Sequence, residues 1–126
     1  MSTSNVKREP IADHVPDVGD IIWLDAGPTT GHEQDHYRPW VVMSERRFNE
    51  NSGLAFCVPC TTTIKHGMWE VPVDGLPEPT SALWAHGRTL AWKKRQAEHF
   101  GEKASAEVMK RLRIRIGSFL QIPMVK

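Results

Sequence analysis

Apolar residues come in short blocks along most of this chain, and only its C-terminal stretch carries a helical period. Ile21-Ile22-Trp23-Leu24, Trp40-Val41-Val42-Met43 and Leu54-Ala55-Phe56-Cys57-Val58-Pro59 are continuous runs, too short for buried helices and rich in β formers. Trp69-Glu70-Val71-Pro72-Val73 reads as a fourth strand, and Ser81–Ala85 and Arg88–Trp92 as weaker ones. Between them stand breakers: Val15–Asp20, Glu45–Gly53 with Asn49 and Asn51, His66-Gly67, and Asp74–Thr80 with two prolines. Pro59 marks a strand end or an edge. Val108, Met109, Leu112, Ile116, Phe119 and Leu120 then recur at three- and four-residue steps after Ser105, a candidate N-cap. Short strands divided by turns, closed by one amphipathic helix, specify a mainly β chain with α: a small β-barrel with a packed C-terminal helix.

A chain of 126 residues is one domain long. Residues 1–14 are polar and aperiodic and are expected to form a flexible arm, with a single domain over 15–122. Residues 1–80 carry 6 Lys/Arg against 12 Asp/Glu, and residues 81–126 carry 10 against 3, so charges of −6 and +7 make up the net +1. A basic patch facing an anion, or a solvated helix face, is expected in the second part. No apolar run has the length of a membrane span, and the first residues have no apolar core of a signal peptide, so a cytoplasmic protein is expected. Cys57 and Cys60 form a C-x-x-C, but three steps along a strand put them on opposite faces, so they read as structural thiols, with a redox or half-metal site as the alternative.

Pro28 to Ser44 runs from a polar loop into an apolar strand, an arrangement that commonly carries chemistry. It contains His32-Glu33-Gln34-Asp35-His36, a literal H-E-x-x-H. That zinc motif needs a helix to bring both imidazoles to one face. Gly31 precedes it, Pro39 follows, and no apolar helical period flanks it, so a zinc site is not expected. The plain reading is a solvated loop; the sharper one is a substrate loop working through Glu33 and Arg38.

The ordered set of segments resembles the MazF/PemK toxins. Val18-Gly19-Asp20-Ile21-Ile22-Trp23-Leu24-Asp25, Pro28-Thr29-Thr30-Gly31-His32-Glu33-Gln34 and Arg38-Pro39-Trp40-Val41-Val42-Met43-Ser44 follow that family's opening. Phe48-Asn49, Gly53, Val58-Pro59-Cys60-Thr61-Thr62, Glu70-Val71 and Leu90-Ala91-Trp92-Lys93-Lys94-Arg95 continue it in order, over roughly residues 16–120. The resemblance implies an SH3-like barrel of the CcdB/MazF/PemK type and a homodimer. It implies the toxin of a type II toxin–antitoxin pair, a metal-independent endoribonuclease that needs no cofactor and cuts single-stranded RNA at short sequences. It implies a cognate antitoxin with an acidic C-terminal tail, and contact with promoter DNA only through the antitoxin complex. The family's catalytic arginine and threonine fall on Arg38 and Thr61, and its loop glutamate on Glu33. One departure stands out: where the family has an Asp-Gln pair, this chain has Ala85-His86. That bears on substrate recognition more than on catalysis.

Metal-free RNA cleavage uses the neighbouring 2′-hydroxyl as nucleophile and leaves a 2′,3′-cyclic phosphate and a 5′-hydroxyl. The protein must help remove one proton, stabilise charge on phosphorus and protonate the leaving oxygen. Arg38 suits phosphate binding and charge stabilisation better than base catalysis, because guanidinium stays protonated. Thr61 can orient the phosphate or the 2′-oxygen. Glu33 can accept the 2′ proton or fix Arg38. His32, His36 and His86 titrate near neutrality. His32, Gln34, Thr62, Lys65, His86 and Arg88 are candidate RNA contacts, with Lys93 and Lys94 as further phosphate contacts. Trp69, Trp84 and Trp92 are candidate stacking surfaces, although tryptophan in a small barrel is commonly core. Two alternatives remain beside the nuclease: a protein-binding toxin of the same fold, such as the gyrase-poisoning CcdB type, and a non-catalytic RNA-binding or autoregulatory barrel.

Overall fold

The computed structural model describes residues 8–27 and 37–123. Seven antiparallel strands and two helices follow in the order β1 (Asp20–Asp25), β2 (Tyr37–Val42), α1 (Arg46–Ser52), β3 (Ala55–Thr61), β4 (Val71–Val73), β5 (Thr80–Ala82), β6 (Arg88–Leu90), β7 (Glu98–Lys103) and α2 (Ala106–Phe119). A short 3-10 turn, Trp84–His86, links β5 to β6. The sheet runs β4-β5-β3-β2-β1-β7, and β6 pairs with β3. This is the expected small β-barrel, a curled sheet that carries α2.

The continuous apolar runs exist because both sheet faces are covered. Ile21, Val41, Val58 and Cys60 point to one side and join Val71, Val73, Ala82, Trp84 and the α2 residues Val108, Met109 and Leu112. Their strand neighbours Ile22, Leu24, Trp40, Val42 and Cys57 point to the other and pack with Ala55 and Leu90. The period of two thus splits each run between two cores. It also separates the cysteines as expected: both are buried free thiols, one in each core.

Helix α2 starts as its sequence predicts, with the Ser105 hydroxyl accepting from the Val108 amide at 3.2 Å. Its stripe is buried only in the first turns: Val108, Met109 and Leu112 are covered, whereas Phe119 and Leu120 are 55 % and 56 % exposed. Lys110, Arg111, Arg113 and Arg115 are all exposed.

Three local expectations are corrected. The Glu45–Gly53 turn contains a helix, α1, which has no apolar period because Asn49 is its only buried residue. Strand β3 continues through Pro59 to Thr61. The proline is tolerated because β3 changes partners on one edge there, from β6 opposite residues 55–57 to β5 opposite Cys60 and Thr61, and the Pro59 carbonyl accepts from Leu83 at 2.8 Å. Strand β7 is a polar edge strand whose Glu-His-Phe-Gly-Glu-Lys sequence gave no strand signal. Its pairing with β1 slips between Asp20↔Lys103 and Ile22↔His99, and Gly101 at φ 92 supplies the left-handed residue that such a bulge needs.

Of the residues expected as an arm, 8–14 lie against β7. Arg8 pairs with Glu102 at 2.8 Å and stacks 4.0 Å from the Phe100 ring, while Ile11 donates to the His99 carbonyl.

Candidate active site

The strand register directs the two family-derived residues to one face of the sheet. Strands β2 and β3 pair Val42↔Cys57, Val41↔Val58 and Trp40↔Pro59. The same register continued two residues sets Arg38 across from Thr61, and residues opposed in this way share a face. The Arg38 charge also reaches the neighbouring strand at that level. It pulls the Cys60 thiol downward, as does the Val41 backbone amide, while burial dominates and leaves it pushed up to about 12. Both Arg38 and Thr61 are half-buried.

Thr61 opens a loop that its own side chain shapes. The Thr61 hydroxyl accepts from the Thr63 amide at 3.0 Å, a local turn typical of this residue type. Thr62 and Lys65 follow and are exposed. At the far end, the buried Glu70 carboxylate accepts from the amides of Lys65 and His66 at 3.1 and 2.8 Å. From sequence, Glu70 reads only as part of a strand; its sole distinguishing mark is a lone carboxylate beside Val71. The Trp84 indole holds the same loop by donating to the Met68 carbonyl at 3.0 Å.

Arg88 sits on the Arg38 face. It is opposite Cys57, which is itself opposite Val42, two residues along β2 from Trp40. Its guanidinium lies 5.7 Å from the Trp40 ring centroid and donates to the Ala26 carbonyl at 3.1 Å. Arg95 likewise donates to the Asp25 carbonyl at 3.1 Å. The two arginines therefore fasten the point where the chain leaves β1. The Trp40 indole nitrogen is buried and has no acceptor among the described residues. His86 is exposed at the end of the 3-10 turn, two residues before Arg88.

The remaining expected residues divide in two. His32, Glu33, Gln34 and His36 lie outside the described residues, and with them the H-E-x-x-H segment. Among the stacking candidates, Trp69 is 56 % exposed and tilts against Trp84, with ring centroids 5.4 Å apart. Trp84 is core, and Trp92 is half-buried and donates to the Asn49 carbonyl at 3.1 Å, so both have structural work. Lys93 and Lys94 are exposed.

Among the described residues, His14, Asp20 and His99 form a group with metal-ligand chemistry. The imidazoles stack at 4.0 Å with 22° between their planes, so their in-plane lone pairs do not converge on one point. The group instead ties the chain before β1 to the buried Asp20, which accepts from His14 or pairs with it at 2.7 Å and also takes the Asp17 amide at 2.9 Å.

The chain is similar to known proteins in sequence and fold. Residues 17–120 match the family described as PemK-like, MazF-like toxin of type II toxin-antitoxin system. The endoribonuclease toxin MazF of Escherichia coli K12 is 40 % identical over 98 residues, which cover 78 % of this chain and 88 % of that protein. The crystal structure of MazF from Deinococcus radiodurans (Form-I) superposes with a TM-score of 0.78 at 36 % identity, covering 87 % of this chain and 100 % of that one. The MazE–MazF structure from the same organism (Form-II) gives 0.76 at 35 % identity, covering 88 % and 100 %. Fold, ordered motifs and relatives agree, and the chain belongs to the PemK-like, MazF-like toxin family of type II toxin–antitoxin systems.

Proposed function

We propose that this toxin is a metal-independent endoribonuclease in which Arg38 and Thr61 act on the scissile phosphate of single-stranded RNA. The observation that supports this reading is the β2–β3 register from Val42↔Cys57 to Trp40↔Pro59, whose alternation directs Arg38, Thr61 and Arg88 to one face. The substrate's 2′-hydroxyl attacks the adjacent phosphorus and the P–O5′ bond breaks. Arg38 donates to the non-bridging oxygens, where negative charge grows, and stands close to the leaving 5′-oxygen that must be protonated. Thr61 orients the phosphate or the 2′-oxygen. Glu33 either receives the 2′ proton or fixes Arg38. The products are a 2′,3′-cyclic phosphate and a 5′-hydroxyl, and DNA, which lacks the nucleophile, is not cut.

Thr62, Lys65, His86, Arg88, His32 and Gln34 are assigned to RNA contacts. Lys65 and Arg88 supply phosphate charge. His86 occupies the position that departs from the family's Asp-Gln pair and so reads the substrate differently. The cytoplasm is the compartment where this substrate is met.

The chain works as a homodimer and is held in check by an antitoxin whose acidic tail lies on its basic surface; promoter DNA is met only through that complex. Support comes from α2 and the residues just after it, where Ile114, Phe119, Leu120 and Ile122 are exposed and the helix also exposes Arg111, Arg113 and Arg115. Exposed apolar residues grouped with like charges suit a partner that brings both apolar and acidic side chains. The MazE–MazF complex among the structural relatives supports the same reading.

The test is cleavage of a long single-stranded RNA in excess EDTA by the wild type, Arg38→Ala and Thr61→Ala, with the cut ends mapped. Discrete cuts with 5′-hydroxyl ends, lost in both variants, are expected. Intact RNA with folded wild type, or unchanged cutting by Arg38→Ala, overturns the reading.

A further inference from the structure

We infer that Glu70 is a positioning residue for the RNA substrate: its buried carboxylate holds the loop that follows Thr61, and with it the backbone of Lys65, in one shape. The inference rests on the active-site reading above and deepens it.

Glu70 is 8 % exposed, and no salt bridge to it is seen among the described residues. A buried carboxylate must be satisfied by donors, and here these are backbone amides. Oε1 takes the Lys65 amide at 3.1 Å and the His66 amide at 2.8 Å, and Oε2 lies 3.3 Å from the Lys65 amide. Two consecutive amides turned to one anion make a small nest. His66 has φ 57°, in the left-handed region where histidine is among the enriched residue types, and the carboxylate on its own amide fixes it there.

The loop has two further fastenings. Thr61 caps its start through the Thr63 amide, and Trp84 holds its far side through the Met68 carbonyl. Between them Ile64 is half-buried, and Thr62, Thr63, Lys65, His66, Met68 and Trp69 are exposed. Trp69 tilts against the core residue Trp84, and the core clusters include none of the other side chains. The fastenings spend a buried carboxylate and a buried indole on presenting a polar surface that begins at Thr61. A structure-only element of this length would need neither. Bound phosphate gains from a loop backbone already in place, because less of the ordering cost then falls at binding.

The experiment compares wild type, Glu70→Ala, Glu70→Gln and Trp84→Phe by steady-state cleavage and by affinity for an RNA with 2′-deoxy substitution at the cleavage site. Glu70→Ala is expected to raise KM and weaken binding about tenfold with kcat within about threefold, since the loop contributes binding rather than chemistry. Glu70→Gln keeps Oε1 as an acceptor for both amides and restores most of the affinity. Trp84→Phe, which loses the bond to Met68 and trims the ring packed on Trp69 and Phe119, shifts KM in the same direction as Glu70→Ala. In a Lys65→Ala background the effect of Glu70→Ala shrinks toward nothing, because the two act in series. A fall in kcat that tracks the folded fraction, with KM unchanged, overturns the inference. So does additivity of Lys65→Ala and Glu70→Ala. If Glu70→Ala does not fold, Glu70→Gln and Trp84→Phe carry the test alone. Arg38→Ala and Thr61→Ala are assayed alongside: cleavage surviving in them sinks the active-site reading, whereas their inactivity with an unmoved KM in Glu70→Ala and Trp84→Phe sinks only this one.

Discussion

The guanidinium of Arg88 lies 5.7 Å from the centroid of the Trp40 ring while one of its nitrogens donates to the Ala26 carbonyl at 3.1 Å. Ala26 stands at the exit of β1, so one side chain joins the sheet face that holds Arg38 to the start of the segment leading to it. A planar fork can stack on an aromatic, bond a carbonyl and still offer donors to a phosphate; an ammonium cannot do all three. Arg88→Lys should therefore weaken RNA binding nearly as much as Arg88→Ala, about three- to tenfold at moderate salt. Each substitution that removes a phosphate contact should lower the slope of log affinity against log salt by about 0.7. Titrating uncleavable RNA across a salt series checks both. Full rescue by lysine would show that Arg88 acts only as a charge.

How far the molecule was legible varies by element. The two cores follow from alternation, which sends Ile21 and Ile22, Val41 and Val42, and Cys57 and Val58 to opposite faces, and a period of two is visible in any continuous apolar run. Helix α2 was legible from its cap and stripe. Helix α1 was not, because a short exposed helix leaves no apolar period and its one buried residue, Asn49, looks like a turn former. Strand β7 was hidden for the same reason: an edge strand with polar residues alternates weakly. At the candidate site, Arg38 and Thr61 were found through the family's motifs. Their alignment depends on a strand pairing that no local window contains. Glu70 was invisible as a loop anchor because its partners are backbone amides, and backbone partners leave no trace in side-chain identity.

Asn49 is the buried hub between the entry to β1, α1 and β3. Its amide donates to the Pro16 carbonyl at 2.8 Å and the Ser44 carbonyl at 3.0 Å, and its oxygen accepts from the Ser44 hydroxyl at 2.6 Å. Ser44 in turn accepts from the Phe56 amide at 2.8 Å. Asn49→Ala strands buried carbonyls and should cost about 2–3 kcal/mol. Asn49→Asp, which loses both donors and buries a charge, should cost more. Urea unfolding followed by tryptophan fluorescence measures the order; an aspartate variant as stable as wild type contradicts it.

Gly87, beside the Ala85-His86 departure, is required by space and not by backbone conformation. Its φ of −61° suits any residue, but a Cβ there would stand 2.9 Å from Phe56 Cζ and 3.4 Å from the Cys57 carbonyl oxygen. Gly87→Ala should therefore destabilise by about 1–3 kcal/mol through overpacking. Adding Phe56→Leu should recover part of that loss, because it removes the ring edge. Melting temperatures of the two single variants and the double variant decide it: strict additivity would place the penalty elsewhere.

The two thiols link stability to alkaline pH. Burial pushes Cys57 from 9.0 up to about 12. Burial does the same to Cys60, against the Val41 amide and the Arg38 charge, and again the value reaches about 12. A thiol whose pKa is raised by folding favours the native state while protonated. Its contribution is complete below pH 9.0 and is lost as pH rises from there toward about 12. Unfolding free energy should thus fall above about pH 9, and Cys57→Ala combined with Cys60→Ala should flatten that fall. Native protein should also resist iodoacetamide until it unfolds, since only thiolate reacts. Because the side chains occupy opposite cores, reductant should leave the melting temperature unchanged. A melting temperature that drops with dithiothreitol would mean that the thiols meet, and would contradict the alternation that separates them.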